Sequence, residues 1–294
     1  MLMRFFGRAG KNGRPGNGHS GHDGQEQSPQ GRQSGPQLRP EAKAGGHGDH
    51  WGCVLTADRQ SELLDYIIRV ANGDPHPRHF TGPAGRGLVA YSPGEGERVR
   101  MAVLVQNNQV VSAYPEIQHG GLWPVEVAKV VPWANGIEGQ IEGSCHGARV
   151  CFFDTRFYAN GHRYRAGRTC NFRMGAFAYV LRRSTDLEFE IEGGAGLSWR
   201  GAHAYLPAEI GNPEAGADID DYWFHSPPQG EVSPVEFMGV RLWVYPITIA
   251  IPDHFEMSLP LYVADHVRAQ DLAHLRPEDD LEGYLWLQGY MAED

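Results

Sequence analysis

Aromatic and arginine side chains alternate along several segments of this 294-residue chain. Successive side chains of an extended chain point to opposite faces, so residues two apart share a face. Aromatic rings interleaved with guanidinium groups can stack on bases or sugars, and they can also anchor a protein interface. The residues that we assign to such a predicted aromatic face are Arg173, Phe177, Tyr179, Arg241, Trp243, Tyr245, Tyr262, Tyr284, Trp286, Gln288 and Tyr290.

Two outcomes are open for this predicted aromatic face. Another part of the chain can cover it and form a second hydrophobic core, which we favour because a large exposed aromatic patch is costly in a monomer. Otherwise it is a surface for a protein partner, a second copy of the chain or single-stranded nucleic acid. The last segment separates cleanly, because Leu281, Leu285, Leu287 and Met291 alternate with the aromatic residues and predict an aliphatic core face.

A second set of residues has the chemistry of zinc ligands. Three cysteines and two histidines lie close together in the sequence, and thiolate and imidazole groups bind zinc. The pattern lacks the paired Cys-x-x-Cys of zinc sites, and one cysteine alternates with apolar residues as a core thiol does. The hypothesis of a metal site in a hydrolase therefore stays open; its residues are Cys145, His146, Cys151, His162 and Cys170.

Other chemical signatures are incomplete. The carboxylates Glu214, Asp218, Asp220 and Asp221 lie near one another but lack the glycine and the terminal glutamate of a calcium loop. The sequence has no Gly-x-Ser-x-Gly elbow, no Gly-x-x-x-x-Gly-Lys phosphate loop and no His-Glu-x-x-His helix. We therefore assign no catalytic residue and no cofactor, and the sequence favours a non-enzymatic protein.

Composition narrows the class of protein. Hydrophobic residues make up 41% of the chain, with 38 glycines and 20 prolines, which is typical of a turn-rich β protein. No apolar run approaches the roughly 20 residues of a membrane-spanning helix, and the first residues lack the apolar segment of a signal peptide. Four cysteines are too few for a disulfide scaffold. We expect a cytoplasmic protein that does not interact with membranes.

Charged residues are distributed unevenly along the chain. Residues 1–50 carry seven Lys and Arg against four Asp and Glu, so residues 51–294 hold a net charge of −13 within the total of −10. An acidic body repels a phosphate backbone unless basic residues cluster locally. Residues 1–50 are also rich in Gly, Pro and Gln, and such a segment is expected to be a disordered tail.

The elements that must position these residues form two predicted units after the tail. Residues 51–122 predict a small α+β unit, with a helix from Thr56 to Ala71 followed by a β-meander. The buried stripe of this helix is expected to consist of Leu63, Leu64, Ile67, Ile68 and Val70. Asn107-Asn108 predicts a tight turn between two strands.

Residues 123–294 predict a larger antiparallel β domain. Alternating segments indicate strands near Val125, at 137–143, 149–158, 169–181, 240–249 and 255–263, and at the closing segment. Asn160-Gly161 predicts a hairpin turn, and residues 188–233 predict a long acidic loop. The strand count and the glycines at bends resemble an OB-fold-like β-barrel. The closing segment and Phe152-Phe153-Asp154-Thr155 resemble parts of an uncharacterised bacterial family. The resemblance implies a mainly β (α+β) fold.

Three functional hypotheses follow. The first is a non-enzymatic binding or structural module that uses the predicted aromatic face for protein binding or self-association. The second is an OB-like protein that binds single-stranded nucleic acid, which requires arginines clustered around exposed aromatic rings. The third is the metal-dependent hydrolase, which requires the cysteines and histidines to converge.

Overall fold

The computed structural model describes residues 50–82, 85–93, 98–185, 188–190, 196–208, 219–251, 255–270, 272, 275–276 and 279–293. The predicted disordered tail lies outside the described residues except for His50, and so do Glu214 and Asp218 of the acidic cluster.

Within these residues the chain forms mostly β-strands and a few short helices. The helices are α1 (Gln60–Gly73), α2 (Phe157–Asn160) and two 3₁₀ helices, His50–Cys53 and Gly161–Arg163. The strands are β1 (Arg78–Gly82), β2 (Gly85–Tyr91), β3 (Val99–Gln106), β4 (Gln109–Ile117), β5 (Gly121–Pro132), β6 (Gly139–Cys145), β7 (Ala148–Asp154), β8 (Thr169–Arg183), β9 (Glu188–Glu190), β10 (Gly196–Ser198), β11 (Ala204–Pro207), β12 (Asp221–Ser226), β13 (Ser233–Phe237), β14 (Val240–Ile251), β15 (Phe255–Ala264) and β16 (Leu281–Met291).

Strands β1 to β4 form an antiparallel four-stranded sheet in sequence order. The tight turn predicted between β3 and β4 is confirmed, because Asn107 and Asn108 have φ of 51° and 59°, as a two-residue hairpin turn requires. The sheet is the predicted β-meander with one additional strand, β1.

Helix α1 begins later than predicted. The backbone amides of Arg59 and Gln60 both donate to the carbonyl of Thr56, so a turn precedes the helix. The predicted buried stripe is wrong at two positions, because Leu64 and Ile68 are 64% and 46% exposed. The helix packs through Val70, which is 4% exposed, and through half-buried residues such as Leu63 and Ile67.

Five strands close into a barrel in the order β5-β6-β7-β16-β8. The ring closes because β16 pairs antiparallel with β8 along one edge and parallel with β7 near its carboxyl end along the other. The remaining strands extend the two long barrel strands into a larger sheet, with β12 and β11 beyond β16 and with β15, β14 and β13 beyond β8. The expected mainly β, α+β architecture with a barrel is therefore confirmed.

Two local predictions need correction. The stretch 188–233, predicted as a long acidic loop, contains the strands β9 to β12, and β12 pairs with the closing strand over six residues. Asn160-Gly161 is not a hairpin turn: α2 ends at Asn160 and a 3₁₀ helix follows. Gly161 has a helical φ of −52°, and a side chain there would meet the ring of Phe157, so its small size is needed for packing.

Two hydrophobic cores share the strands of the large sheet. One fills the barrel and continues along one face of its extension, where it includes the predicted aliphatic residues Leu281, Leu285, Leu287 and Met291 of β16. The other core lies on the opposite face and joins residues of the four-stranded sheet, such as Met101 and Tyr114, to Trp286 of β16. No helix among the described residues is long and apolar enough to cross a bilayer.

Candidate functional site

Part of the predicted aromatic face is interior. Phe177, Tyr262 and Trp286 are at most 1% exposed and lie in the second core. The Trp286 indole nitrogen donates to Asp220 Oδ2 at 3.1 Å, and the ring of His50 stacks on the indole with a centroid distance of 4.2 Å. These rings therefore hold the 3₁₀ helix at His50–Cys53 and the four-stranded sheet against the large sheet.

Two further members are buried through hydrogen bonds. Gln288 donates from Nε2 to the carbonyl of Pro115 at 2.9 Å, and the Tyr290 hydroxyl donates to the carbonyl of Gln118 at 2.6 Å. Both contacts connect β16 with the end of the four-stranded sheet. The closing strand thus presents neither residue as a binding surface.

Strand pairing divides the rest of the predicted face between two sides of the sheet. Trp243 and Tyr245 pair with Val263 and Leu261, whereas Tyr262 points to the other side. The Arg268 guanidinium lies 4.7 Å from the Trp243 ring centroid and donates to the Tyr245 hydroxyl at 2.7 Å. Arg241 is exposed, and its guanidinium lies 5.9 Å from the Trp243 ring centroid. Arg173 is exposed on the barrel. The predicted face is therefore not one continuous surface.

A different row of side chains forms a continuous apolar surface across four strands. Leu206 of β11 pairs with Trp223 of β12, Trp223 pairs with Tyr284 of β16, and Tyr284 pairs with Val180 of β8. We call these four residues the cross-strand row. Adjacent strands lie about 4.8 Å apart, so the row spans roughly 14 Å. Leu206 and Val180 are each 45% exposed, and Trp223 and Tyr284 are half-buried.

Strand alternation places the cross-strand row on the side of the sheet that faces away from the barrel core. Tyr222, Phe224 and Leu285 point into the barrel core, so their neighbours Trp223 and Tyr284 point away from it. Further along the same side, nearer the middle of the sheet, the second core covers the surface. The cross-strand row therefore lies next to the edge of the second core.

One border of the row is a chain of hydrogen bonds. His50 Nδ1 lies 2.5 Å from the Tyr179 hydroxyl, which donates to Asp221 Oδ1 at 2.9 Å. Tyr179 has no ladder partner because the pairing of β8 with β16 shifts there. Burial, together with the Asp221 carboxylate, raises the pKa of Tyr179, so its hydroxyl keeps the proton that it donates.

The other border is also polar. Glu282, the ladder partner of His225, accepts hydrogen bonds from Arg182 at 2.7 Å and from Ser184 at 3.0 Å. His225 is 2% exposed. Its Nδ1 lies 3.0 Å from the carbonyl of Ala202, and its Nε2 lies 3.9 Å from the carboxylate of Asp280. The row is thus an apolar strip between two polar borders.

Only Tyr284 of the row was in the predicted aromatic face. Leu206 and Trp223 were missed because they lie in the stretch predicted as a loop. The run Tyr222-Trp223-Phe224-His225 carried a usable signal, because consecutive aromatic residues favour strands. Val180 follows Ala178 in the apolar alternation of β8, which predicts a core position; this prediction is wrong, because the register shift at Tyr179 turns Val180 to the exposed side.

The proposed zinc ligands are spread through the barrel. Cys145, Cys151 and Cys170 are buried free thiols, whereas His146 and His162 are exposed. Burial raises the pKa of Cys145 to about 11 and the pKa of Cys151 well above its usual value, which disfavours the thiolate. Across the described ranges, no three His, Cys, Asp or Glu side chains are grouped to hold a metal ion.

A buried ion-pair cluster joins the four-stranded sheet to the barrel. Glu116 has no exposed side-chain surface and accepts hydrogen bonds from Arg100 Nε at 2.7 Å and Arg156 Nε at 2.6 Å. The guanidinium of Arg100 lies 3.4 Å from the Tyr91 ring centroid, and that of Arg156 lies 3.7 Å from the Tyr290 ring centroid. Two guanidinium groups share one carboxylate, so the cluster keeps a net charge of +1, and each guanidinium also packs on a tyrosine ring.

Comparison of the chain with protein-family models, with curated protein sequences and with solved structures finds no significant match.

Proposed function

We propose that this protein is a non-enzymatic binding module whose cross-strand row takes a short peptide segment of a partner protein. The observation that carries the proposal is the continuity of the row, in which Trp223 and Tyr284 lie side by side between two exposed aliphatic residues. Single exposed apolar residues are ordinary, whereas a contiguous strip rimmed by polar groups is typical of an interaction site. Trp and Tyr are also the residues that most often anchor interfaces.

The size of the row favours a peptide over a second copy of the chain. A stable dimer buries about 800 Å² on each partner, or 20 to 30 residues a side. Four side chains over roughly 14 Å cover much less than that area. A segment of a few residues, which places two or three apolar side chains on the rings, matches this length.

Charge indicates the character of the peptide. Residues 51–294 carry a net charge of −13, and the carboxylate of Asp221 borders the row on one side, whereas Glu282 on the other side is already paired with Arg182. Electrostatic complementarity favours a partner with Lys or Arg beside its apolar residues. The expected motif is therefore apolar residues flanked by basic ones.

The test is a selection of displayed random peptides on the full-length chain, followed by calorimetric titration of the enriched sequences. We expect enrichment of peptides that combine apolar and basic residues, with Trp223→Ala and Tyr284→Ala each weakening binding about tenfold or more, as hot-spot residues do. Leu122→Ala is the matched control, because Leu122 is 52% exposed but lies on β5, outside the row.

Two outcomes would overturn the proposal. In the first, selected peptides bind the Trp223→Ala protein as tightly as the unaltered chain, or lose affinity equally with Leu122→Ala. In the second, light scattering shows a dimer that Trp223→Ala converts to a monomer, which would make a second copy the occupant of the row.

A further inference from the structure

The arginines of the barrel are concentrated in one part of an otherwise acidic chain. Residues 143–185 contain eight arginines and a single carboxylate, Asp154, whereas the whole chain has a net charge of −10. Such a concentration creates a local positive field on a molecule that is acidic as a whole.

Half of these arginines are committed to carboxylates. Arg156 binds Glu116, Arg182 binds Glu282, and Arg183 binds Asp279. Arg149 lies 3.5 Å from Glu142, in a weaker pair. The other four form no ion pair with any carboxylate of the described residues; they are Arg163, Arg165, Arg168 and Arg173.

Three of these unpaired arginines lie on one loop, residues 161–168, which we call the arginine loop. Its base is held by Tyr164, which is 4% exposed and donates its hydroxyl to Asp154 Oδ2 at 2.6 Å. The backbone amide of Gly167 donates to the carbonyl of Val127 at 2.8 Å, and the Val127 amide donates to the carbonyl of Arg168 at 3.0 Å. The loop is therefore tied to β5 on one side and to the barrel interior on the other.

Hydrogen bonds within the loop orient the guanidinium groups of Arg163 and Arg165. Arg165 donates from Nη1 to the carbonyls of His162 and Tyr164 at 2.7 Å each, and Arg163 donates to Asn160 Oδ1 at 3.3 Å. Each of these arginines uses only part of its donor set, and all three arginines of the loop are exposed. Less conformational entropy is lost when a ligand binds to groups that are already oriented.

We propose that the arginine loop binds a chain of phosphate groups, as in the backbone of a single-stranded nucleic acid or in inorganic polyphosphate. Guanidinium groups match phosphate oxygens in charge and in paired hydrogen-bond geometry. Arg173, exposed on β8 beyond the end of the loop, extends the positive surface along the barrel. The acidic remainder of the molecule makes the expected binding weak and strongly dependent on salt.

The test measures fluorescence anisotropy of a labelled oligothymidylate of about 15 nucleotides with the full-length chain, over salt concentrations from about 50 to 200 mM. We expect the logarithm of the affinity to fall with the logarithm of salt, with a slope of about −0.7 for each phosphate contact. Gln substitution of Arg163, Arg165 or Arg168 should each reduce the slope by about 0.7, and the triple variant should remove most of the salt-dependent binding.

Matched variants separate the loop from general charge. Arg149→Gln removes an exposed arginine of the same basic segment that lies outside the loop, and it should leave the slope unchanged. Glu126→Gln should strengthen binding, because Glu126 is an exposed carboxylate on β5 and pairs with Thr169, next to the loop. Residues 1–49 are present in every variant, so the differences report the loop alone.

Competitors identify the source of the phosphates. Calorimetric titration with inorganic polyphosphate adds a direct measurement: polyphosphate binding without oligothymidylate binding would assign polyphosphate, and direct oligothymidylate binding would assign nucleic acid. The proposal is overturned if neither binds at about 50 mM salt. It is also overturned if the single Gln variants of the loop leave the slope unchanged, or if dextran sulfate competes as well as the phosphate polymers do.

Discussion

Asp154 is a buried carboxyl group of the barrel whose pKa is raised. Its carboxyl group is 1% exposed, and burial raises its pKa to about 7 despite the hydrogen bond from Tyr164. The residue lies in the Phe-Phe-Asp-Thr segment and holds the base of the arginine loop, and its Oδ1 accepts the backbone amide of Arg156. Its protonation state thus affects the stability of this part of the barrel.

Asp154→Asn is expected to change the pH dependence of folding. The folded-state pKa lies above the unfolded value near 3.8, so folding favours the protonated carboxyl group. The stability that this group contributes is complete below pH 3.8 and is lost as pH rises to about 7. Asn mimics the neutral form, so the variant should gain stability relative to the unaltered protein from pH 5 to 7 and then level off. The upper bound of this gain is about 4 kcal/mol.

Urea unfolding of both proteins at several pH values between 5 and 8 checks this expectation. The difference between the two free energies of unfolding cancels the titration of other groups. A difference that stays constant over this range, or that shrinks as pH rises, would show that the carboxylate is ionised in the folded protein.

At the scale of elements, the closing strand β16 is the central element of the fold. It pairs with β8 along its whole length and with β12 and β7 along its other edge, so it belongs to the barrel and to the extended sheet. Glycine residues of β16 allow the backbone of β8 to approach it closely. A β-carbon built at Gly283 would overlap the carbonyl oxygen of Val180 in β8.

Gly283→Ala is therefore expected to destabilise the protein by about 2 kcal/mol or more, because the overlap is with backbone and cannot be relieved by a side-chain rotation. Gly52→Ala is the matched control, since a β-carbon there meets no atom within 4 Å, and its effect should stay within about 0.5 kcal/mol. Denaturant unfolding at constant pH measures both. Equal effects of the two substitutions would contradict the close approach of β16 and β8.

At the scale of the whole molecule, Trp286 connects the main parts of the structure. Its ring contacts Phe153 of β7, Phe177 of β8 and His50, and its core also contains residues of the four-stranded sheet. The buried Glu116 cluster makes a second connection between that sheet and the barrel. The sheet and the barrel are expected to unfold together because they share this interior.

Trp286→Ala should lower the free energy of unfolding by about 3–5 kcal/mol, the usual cost of removing a large buried aromatic side chain. Trp223→Ala, in the half-buried cross-strand row, should cost about 1 kcal/mol or less. Near-ultraviolet and far-ultraviolet circular dichroism during urea unfolding would measure both effects and test whether the transitions coincide. Similar losses for the two tryptophans, or separate transitions in the unaltered protein, would argue against a shared core.

Local sequence patterns predicted much of the secondary structure. Strand alternation separated the two faces of β16, and Asn107-Asn108 predicted its turn, because both signals depend on neighbouring residues only. The same reasoning failed for residues 188–233, where short strands are stabilised by a distant partner: β12 pairs with β16 about 60 positions later in the chain. Composition alone made that stretch resemble a loop.

The sequence by itself determined that the chain is mainly β and that its closing strand has an aliphatic and an aromatic face. Only the tertiary structure decided that Trp286 is interior while Trp223 and Tyr284 form a surface row, and which arginines pair with carboxylates among the residues that the structure describes. Alternation specifies which side chains share a strand face. Which strands are neighbours, in what register, and what covers each face depend on contacts between residues far apart in the chain, and no local pattern encodes them.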